Sequence, residues 1–180
     1  MSDPDVLVPA PRDNPFLQGH DAAEHVLLDA FESGKLAHAW LITGPRGIGK
    51  ATLAYRFARF VLAQGVETAK GGLFGDGIPA IRPDSLYMES DQPIFRRIAA
   101  GGHADFLAIE RAIDDKGKRR SEIVVDDVRA IGAFFNLTAA EGGWRVVIID
   151  SAEEMNRNAA NAVLKALEEP PPNALLLLVS

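Results

Sequence analysis

Apolar residues divide the 180-residue chain into short strands and helices that alternate. Residues 21–33 carry Ala23, Val26, Leu27, Ala30 and Phe31 at helical spacing, and Gly34 follows as a stop signal. Ala39-Trp40-Leu41-Ile42-Thr43 is a short apolar run that enters a glycine-rich loop, as a buried strand does. Beyond the loop, Leu53, Phe57, Phe60 and Val61 share one helical face while Arg56 and Arg59 point elsewhere, so an amphipathic helix is expected. Residues 64–103 lose the periodicity. Gly71, Gly72, Gly75, Gly77, Pro79 and Pro83 predict loops there, with one short helix from Pro93 to Ala100 stopped by Gly101-Gly102.

The second half repeats the alternation. Asp105 to Glu110 reads as a strand, and Asp114 to Arg120 as a solvated charged loop, with DNA contact by Lys116 to Arg120 as the alternative. Ile123-Val124-Val125 is short and extended, and Asp126 is placed to cap a helix running to about Phe135. Trp144 to Ile149 is a strand ending on Asp150, Asn158 to Glu168 is a helix stopped by Pro170-Pro171-Pro172, and Leu175 to Val179 is a last strand. Trp40 and Trp144 belong to the core or its margin. Continuously apolar strands between helices indicate an α/β fold, a parallel sheet covered on both faces. Residues 1–15, rich in proline and acidic groups, read as an extended arm, and residues 16–180 as one domain. An apolar strand that runs to Ser180 suggests the amino-terminal part of a longer protein.

Composition excludes several classes. With 47% hydrophobic and 24% charged residues and a net charge of −6, the surface is not dominated by phosphate-neutralising charge. There is no cysteine, which excludes disulfides and cysteine-ligated zinc. His20, His25, His38 and His103 lack metal-ligand spacing. The acidic amino terminus has no signal-peptide core, and the longest apolar run, Ala174 to Val179, is too short to span a bilayer. No membrane partner is expected.

The chemistry lies in two places. Gly44-Pro45-Arg46-Gly47-Ile48-Gly49-Lys50-Ala51 matches a phosphate-binding loop, or Walker A motif, up to its last position. Backbone N–H groups of such a loop, with the positive end of the next helix, suit phosphate oxygens, and Lys50 reaches the outer phosphates. Ala51 stands where a serine or threonine hydroxyl would meet magnesium. Thr52 has a hydroxyl, but it is rotated by about 100° around the helix and does not simply replace it. The second place is Val146-Val147-Ile148-Ile149-Asp150. Asp150 at a strand end is a candidate magnesium ligand. Ser151 follows where many ATPases carry a water-orienting glutamate, and Glu153 is poorly placed to substitute.

A third motif has no obvious chemistry of its own. Asn161-Ala162-Val163-Leu164-Lys165-Ala166-Leu167-Glu168-Glu169-Pro170-Pro171 is an amphipathic helix with a proline stop and a polar stripe. It resembles the signature of bacterial DNA polymerase III clamp-loader subunits. Leu36 to Gly44 resembles the strand entering their phosphate loop, and Gly19-His20 falls where they have a nucleotide-proximal segment. The resemblance runs from about residue 12 to the end. It implies an AAA+ P-loop domain, a five-stranded parallel sheet in the order 5-1-4-3-2 with helices on both faces, and a cytoplasmic place in DNA replication. It also implies partners: the gamma/tau and delta subunits, and, through the complex, the sliding clamp and primer-template DNA. Asn161, Lys165, Glu168 and Glu169 would face a neighbouring subunit.

Within the family, gamma/tau motors keep an intact loop and an Asp-Glu pair after the third strand. The delta-prime kind is usually a poor or inactive ATPase. Ala51 and Ser151 both depart from the motor pattern, and Asn136 to Trp144 also looks more like delta-prime. No cofactor is then required: ATP or ADP with magnesium would bind weakly at Gly44 to Thr52, and no catalytic residue is assigned. The four-cysteine zinc module of many family members has no counterpart, and the lid, collar and arginine finger lie outside this sequence. The rival readings are an active gamma/tau-type ATPase, and a P-loop small-molecule kinase.

Overall fold

The computed structural model describes residues 8–70, 84–141 and 143–180, and only the backbone of residues 65–70. The glycine- and proline-rich stretch expected to form loops at 71–83 lies outside the described residues, as do residues 1–7 of the arm. The elements run α1 (Asp21–Glu32), β1 (Ala39–Ile42), α2 (Lys50–Lys70), α3 (Pro93–Ala99), β2 (Phe106–Ile109), α4 (Val125–Asn136), β3 (Arg145–Ile149), α5 (Arg157–Glu168) and β4 (Ala174–Val179).

The strands form a parallel sheet in the order β1-β4-β3-β2. Among the described residues it has four strands, not the five expected, so the five-strand order is not shown. β1 is an edge, paired there with β4 alone. Alternation within each central strand feeds two cores. Val146 and Ile148 of β3, with Leu175 and Leu177 of β4, pack under α1 and α2. Val147, Ile149 and Leu176 point the other way, under α4 and α5. Side chains fully removed from water on both faces are what a continuous apolar run requires.

Several expectations change once the packing is seen. The stretch of α2 from Leu53 to Leu62 does not have the one-sided face expected: every residue in it is buried, Arg56 and Arg59 included, at 4% and 1% exposure. It also runs on to Lys70, so residues 64–70 are helical rather than irregular. In α1, Val26 is exposed and Glu24 is buried instead. Asp126 does not cap α4. Val124 is the cap residue, and the Asp127 carboxylate reaches back to accept its backbone N–H at 2.9 Å. Asp126 pairs with exposed Arg129 at 2.6 Å. Asn156 caps α5, its side chain accepting the Ala159 N–H at 2.9 Å. Gly34, with φ of +67°, ends α1, a conformation that strains any residue with a Cβ.

Candidate functional site

All four strands run the same way, so their carboxyl ends meet at one edge of the sheet, where parallel α/β folds hold ligands. A cavity of about 770 Å³ opens there. The loop from Gly44 to Ala51 forms one side, Asp150, Ser151 and Glu153 another, and residues from Val8 to Gln18, the arm and the segment directly after it, a third. The structure thus brings the two chemical motifs together on one cavity. Asn161, Lys165, Glu168 and Glu169 lie apart from it, all exposed on or just beyond α5.

The loop folds as its glycines require. Gly47 and Gly49 have φ of +85° and +98°, which a side chain would strain. A Cβ on Gly49 would also lie 2.6 Å from Leu17 Cδ1, just beyond the arm. His20 Nε2–H donates to the Ile48 carbonyl at 2.6 Å, tying the start of α1 to the loop. Lys50 Nζ donates to the carbonyls of Gly44 and Pro45, at 2.7 Å each. A phosphate reaching Lys50 therefore exchanges contacts with these carbonyls instead of meeting a free ammonium. Ala51 packs its methyl against the core, and Thr52 is buried.

The opposite wall is acidic. Burial, then the nearby Glu110, Glu154 and Glu153 carboxylates, push the Asp150 carboxyl above its ordinary range, partly countered by the Ser151 N–H. Glu154 is paired with Arg111 at 2.6 Å, and Glu110 with Arg12 of the arm at 3.1 Å. Ser151 has φ and ψ of 66° and 62°, a left-handed conformation uncommon for a residue with a side chain. The residues fit phosphate better than metal. The nest and Lys50 supply donors, whereas Ala51 supplies no oxygen, and no cluster of three acidic or histidine side chains suited to a metal occurs among the described residues.

The arm is held by side chains that the periodicity did not single out. Arg59 donates to the carbonyls of Arg12 at 2.6 Å, Asn14 at 3.2 Å and Pro11 at 3.4 Å, while its guanidinium lies 4.0 Å from the Phe95 ring centroid. Arg56 donates to the Pro15 carbonyl and pairs with Glu24 at 2.8 Å. Burial pushes Arg59 down to about 10, which leaves it charged at neutral pH. The available signal was the helix itself: with apolar residues on all sides, any arginine within it is buried and must find partners.

A sequence model of the family described as DNA polymerase III, delta subunit, matches residues 85–180, just over half of the chain. The chain belongs to this family. It is 38% identical over 144 residues to the DNA polymerase III subunit delta' of Pseudomonas aeruginosa, a match covering 80% of this chain and 37% of the relative. Subunits delta' and tau of Escherichia coli are each 29% identical, covering 86% and 87% of this chain and 40% and 21% of the relatives. The chain thus spans about two fifths or less of the length of these relatives, and overall identity does not sort the two Escherichia coli subunits. No helix among the described residues is long and apolar enough to cross a membrane.

Proposed function

We propose that this chain is the amino-terminal AAA+ domain of a delta-prime-type clamp-loader subunit. It would act as a non-hydrolysing partner in the ATP-driven loading of the sliding clamp onto primed DNA. One observation carries the reading: Ala51 and Ser151 line the same cavity. At one site the metal-binding hydroxyl and the water-orienting carboxylate are therefore both replaced. What remains, the glycine nest and Lys50, holds phosphate without promoting its transfer. Loss of a general base alone costs roughly 10²–10⁴-fold in rate. Nucleotide, if held, serves as a weak structural ligand, with Asp150 the candidate for a magnesium contact.

The exposed polar stripe Asn161, Lys165, Glu168 and Glu169 offers a surface for a neighbouring gamma/tau or delta subunit. Clamp and primer-template DNA are reached through the complex, and the role belongs in the cytoplasm. The test has two arms: steady-state ATP turnover of the chain, and its incorporation into a complex with purified gamma/tau and delta subunits. Negligible turnover with incorporation is expected. Magnesium-dependent turnover abolished by Lys50→Ala contradicts the reading.

One observation favours the rival gamma/tau-type motor: Glu153 lines the cavity beside Asp150. If it serves as base, turnover is present in the wild-type chain and disappears in Glu153→Gln. The kinase reading has no comparable support.

A further inference from the structure

A backbone nest binds an anion only if its peptide units point their N–H groups inward, and one unit of this loop is gripped from outside it. His20 Nε2–H donates to the Ile48 carbonyl at 2.6 Å, across 28 positions of chain. That peptide has little else to steady it. Gly47 and Gly49, at φ of +85° and +98°, flank Ile48, and a glycine neighbour leaves a peptide free to rotate. The ladder of α2 does not reach it either. The Gly49 carbonyl accepts the Leu53 N–H at 2.9 Å, whereas no backbone N–H among the described residues takes the Ile48 carbonyl. The imidazole itself comes from a fixed frame. Gly19 turns the chain at φ of +74°, and the His20 carbonyl accepts the Glu24 N–H at 2.9 Å as α1 opens. Glu24 is buried and pairs with Arg56 of α2 at 2.8 Å, so the frame is anchored on the helix that the loop begins.

We infer that His20 is a positioning residue for phosphate: by holding the Ile48 carbonyl it aims the Gly49 N–H into the cavity. The Ile48–Gly49 peptide is trans, so its N–H and C=O point in opposite directions. The carbonyl is turned to His20, which stands outside the cavity lining. The N–H is thereby turned to the side on which Ile48, Gly49 and Lys50 line the cavity. Rotated the other way, the same peptide would present its oxygen to an anion, and a donor would become a repelling dipole. Lys50 grips two further loop carbonyls, those of Gly44 and Pro45, at 2.7 Å each. Lys50 must exchange those contacts for a phosphate, whereas His20 keeps its bond when the cavity fills. A simple tether between α1 and the loop would be indifferent to which loop atom it held. This one holds the carbonyl of the peptide whose N–H faces the ligand. The ligand class is an anion with linked phosphates, and an N–H already aligned to it spares the cost of ordering the loop on binding.

The inference rests on the reading of the cavity as a phosphate cradle and names the side chain that orients it. Proton–nitrogen correlation NMR follows the isotope-labelled 180-residue chain as inorganic pyrophosphate is added without magnesium, against a sodium chloride blank of equal ionic strength. In wild type the Gly49 amide proton shifts downfield and saturates. His20→Gln, whose side-chain amide supplies an N–H in place of Nε2–H, keeps that shift and binds within about three-fold of wild type, as retention of one hydrogen bond requires. His20→Leu has no donor. It loses the Gly49 shift and binds at least about ten-fold more weakly, the scale of one hydrogen bond. Circular dichroism shows both variants folded, and the wild-type Gly49 shift decides the matter by itself if His20→Leu does not fold. Equal affinity of His20→Leu and wild type overturns the inference. So does a His20→Gln variant as weak as His20→Leu, which would make the ring's bulk the cause, or a wild-type Gly49 amide that pyrophosphate leaves unmoved. ATP turnover and incorporation with gamma/tau and delta subunits are measured in parallel. A wild-type chain that assembles without turnover yet binds no pyrophosphate defeats this inference alone. Magnesium-dependent turnover abolished by Lys50→Ala, with the His20 effects intact, defeats the non-hydrolysing reading alone.

Discussion

Arg59 ties α2 to the arm that walls the cavity, and replacing it gives a quantitative test. Arg59→Met keeps much of the volume but removes the donors to Arg12 at 2.6 Å and Asn14 at 3.2 Å, and the cation that sits 4.0 Å from the Phe95 ring centroid. Hydrogen bonds from a charged group contribute about 1.5–3 kcal/mol each, and a desolvated cation over an aromatic ring up to about 2 kcal/mol. Relief of the buried charge's desolvation offsets part of this. A net loss of about 2–4 kcal/mol is expected. For a domain of this size that lowers Tm by roughly 5–12 °C. Because the two closest acceptors belong to the arm, the loss should shrink to under about 1 kcal/mol when residues 1–15 are first deleted. Urea denaturation of the four proteins of that cycle measures the coupling. An equal cost with and without the arm would refute the claim that Arg59 acts by fastening it.

Three other perturbations follow from the same packing. Asp150→Asn should stabilise the chain at pH 7 by a few tenths to about 1 kcal/mol, since ionised Asp150 faces Glu110, Glu153 and Glu154. Its carboxyl is raised, so wild-type stability falls as pH rises through that value, and the mutant's advantage should vanish near pH 3 in thermal melts. Gly49→Ala places a methyl against Leu17 at φ of +98° and should cost about 1–2 kcal/mol, with faster proteolysis of the arm than in wild type. His103 is buried and held below its ordinary value, first by burial and then by Arg97. Its neutral form therefore stabilises the fold above about pH 6.5, and that contribution is lost as pH falls through the lowered value. Urea midpoints should decline from pH 7 to 5, and His103→Gln should flatten the decline.

The strands and the loop were legible because their signals are local. Trp144 to Ile149 is apolar throughout and Gly44 to Lys50 has fixed spacing, and both fall where they were expected, as β3 and the turn into α2. What failed to show is what tertiary packing decides. Leu53, Phe57 and Phe60 suggested one buried face of α2, but the sheet lies on one side and α1, α3 and the arm on the others. Arg56 and Arg59 are therefore as buried as the leucines. Nothing local marks Glu24 as buried, because its partner, Arg56, lies 32 positions away. Asp126 was read as the α4 cap because an aspartate opens the helical pattern, but the helix starts one residue earlier, at Val125, so Val124 is the cap residue and Asp127 reaches its backbone N–H. The cavity's arm wall was illegible for the same reason, since it depends on guanidinium hydrogen bonds spanning more than 40 residues.

The central claim is a phosphate cradle stripped of its metal-binding hydroxyl. Titration of ATP and ADP, with and without magnesium, into the wild-type chain and Ala51→Thr tests it most directly. Weak wild-type binding that magnesium barely changes is expected, with a gain of at least about ten-fold in the mutant when magnesium is present. Equal, tight, magnesium-dependent binding in both proteins would contradict the account.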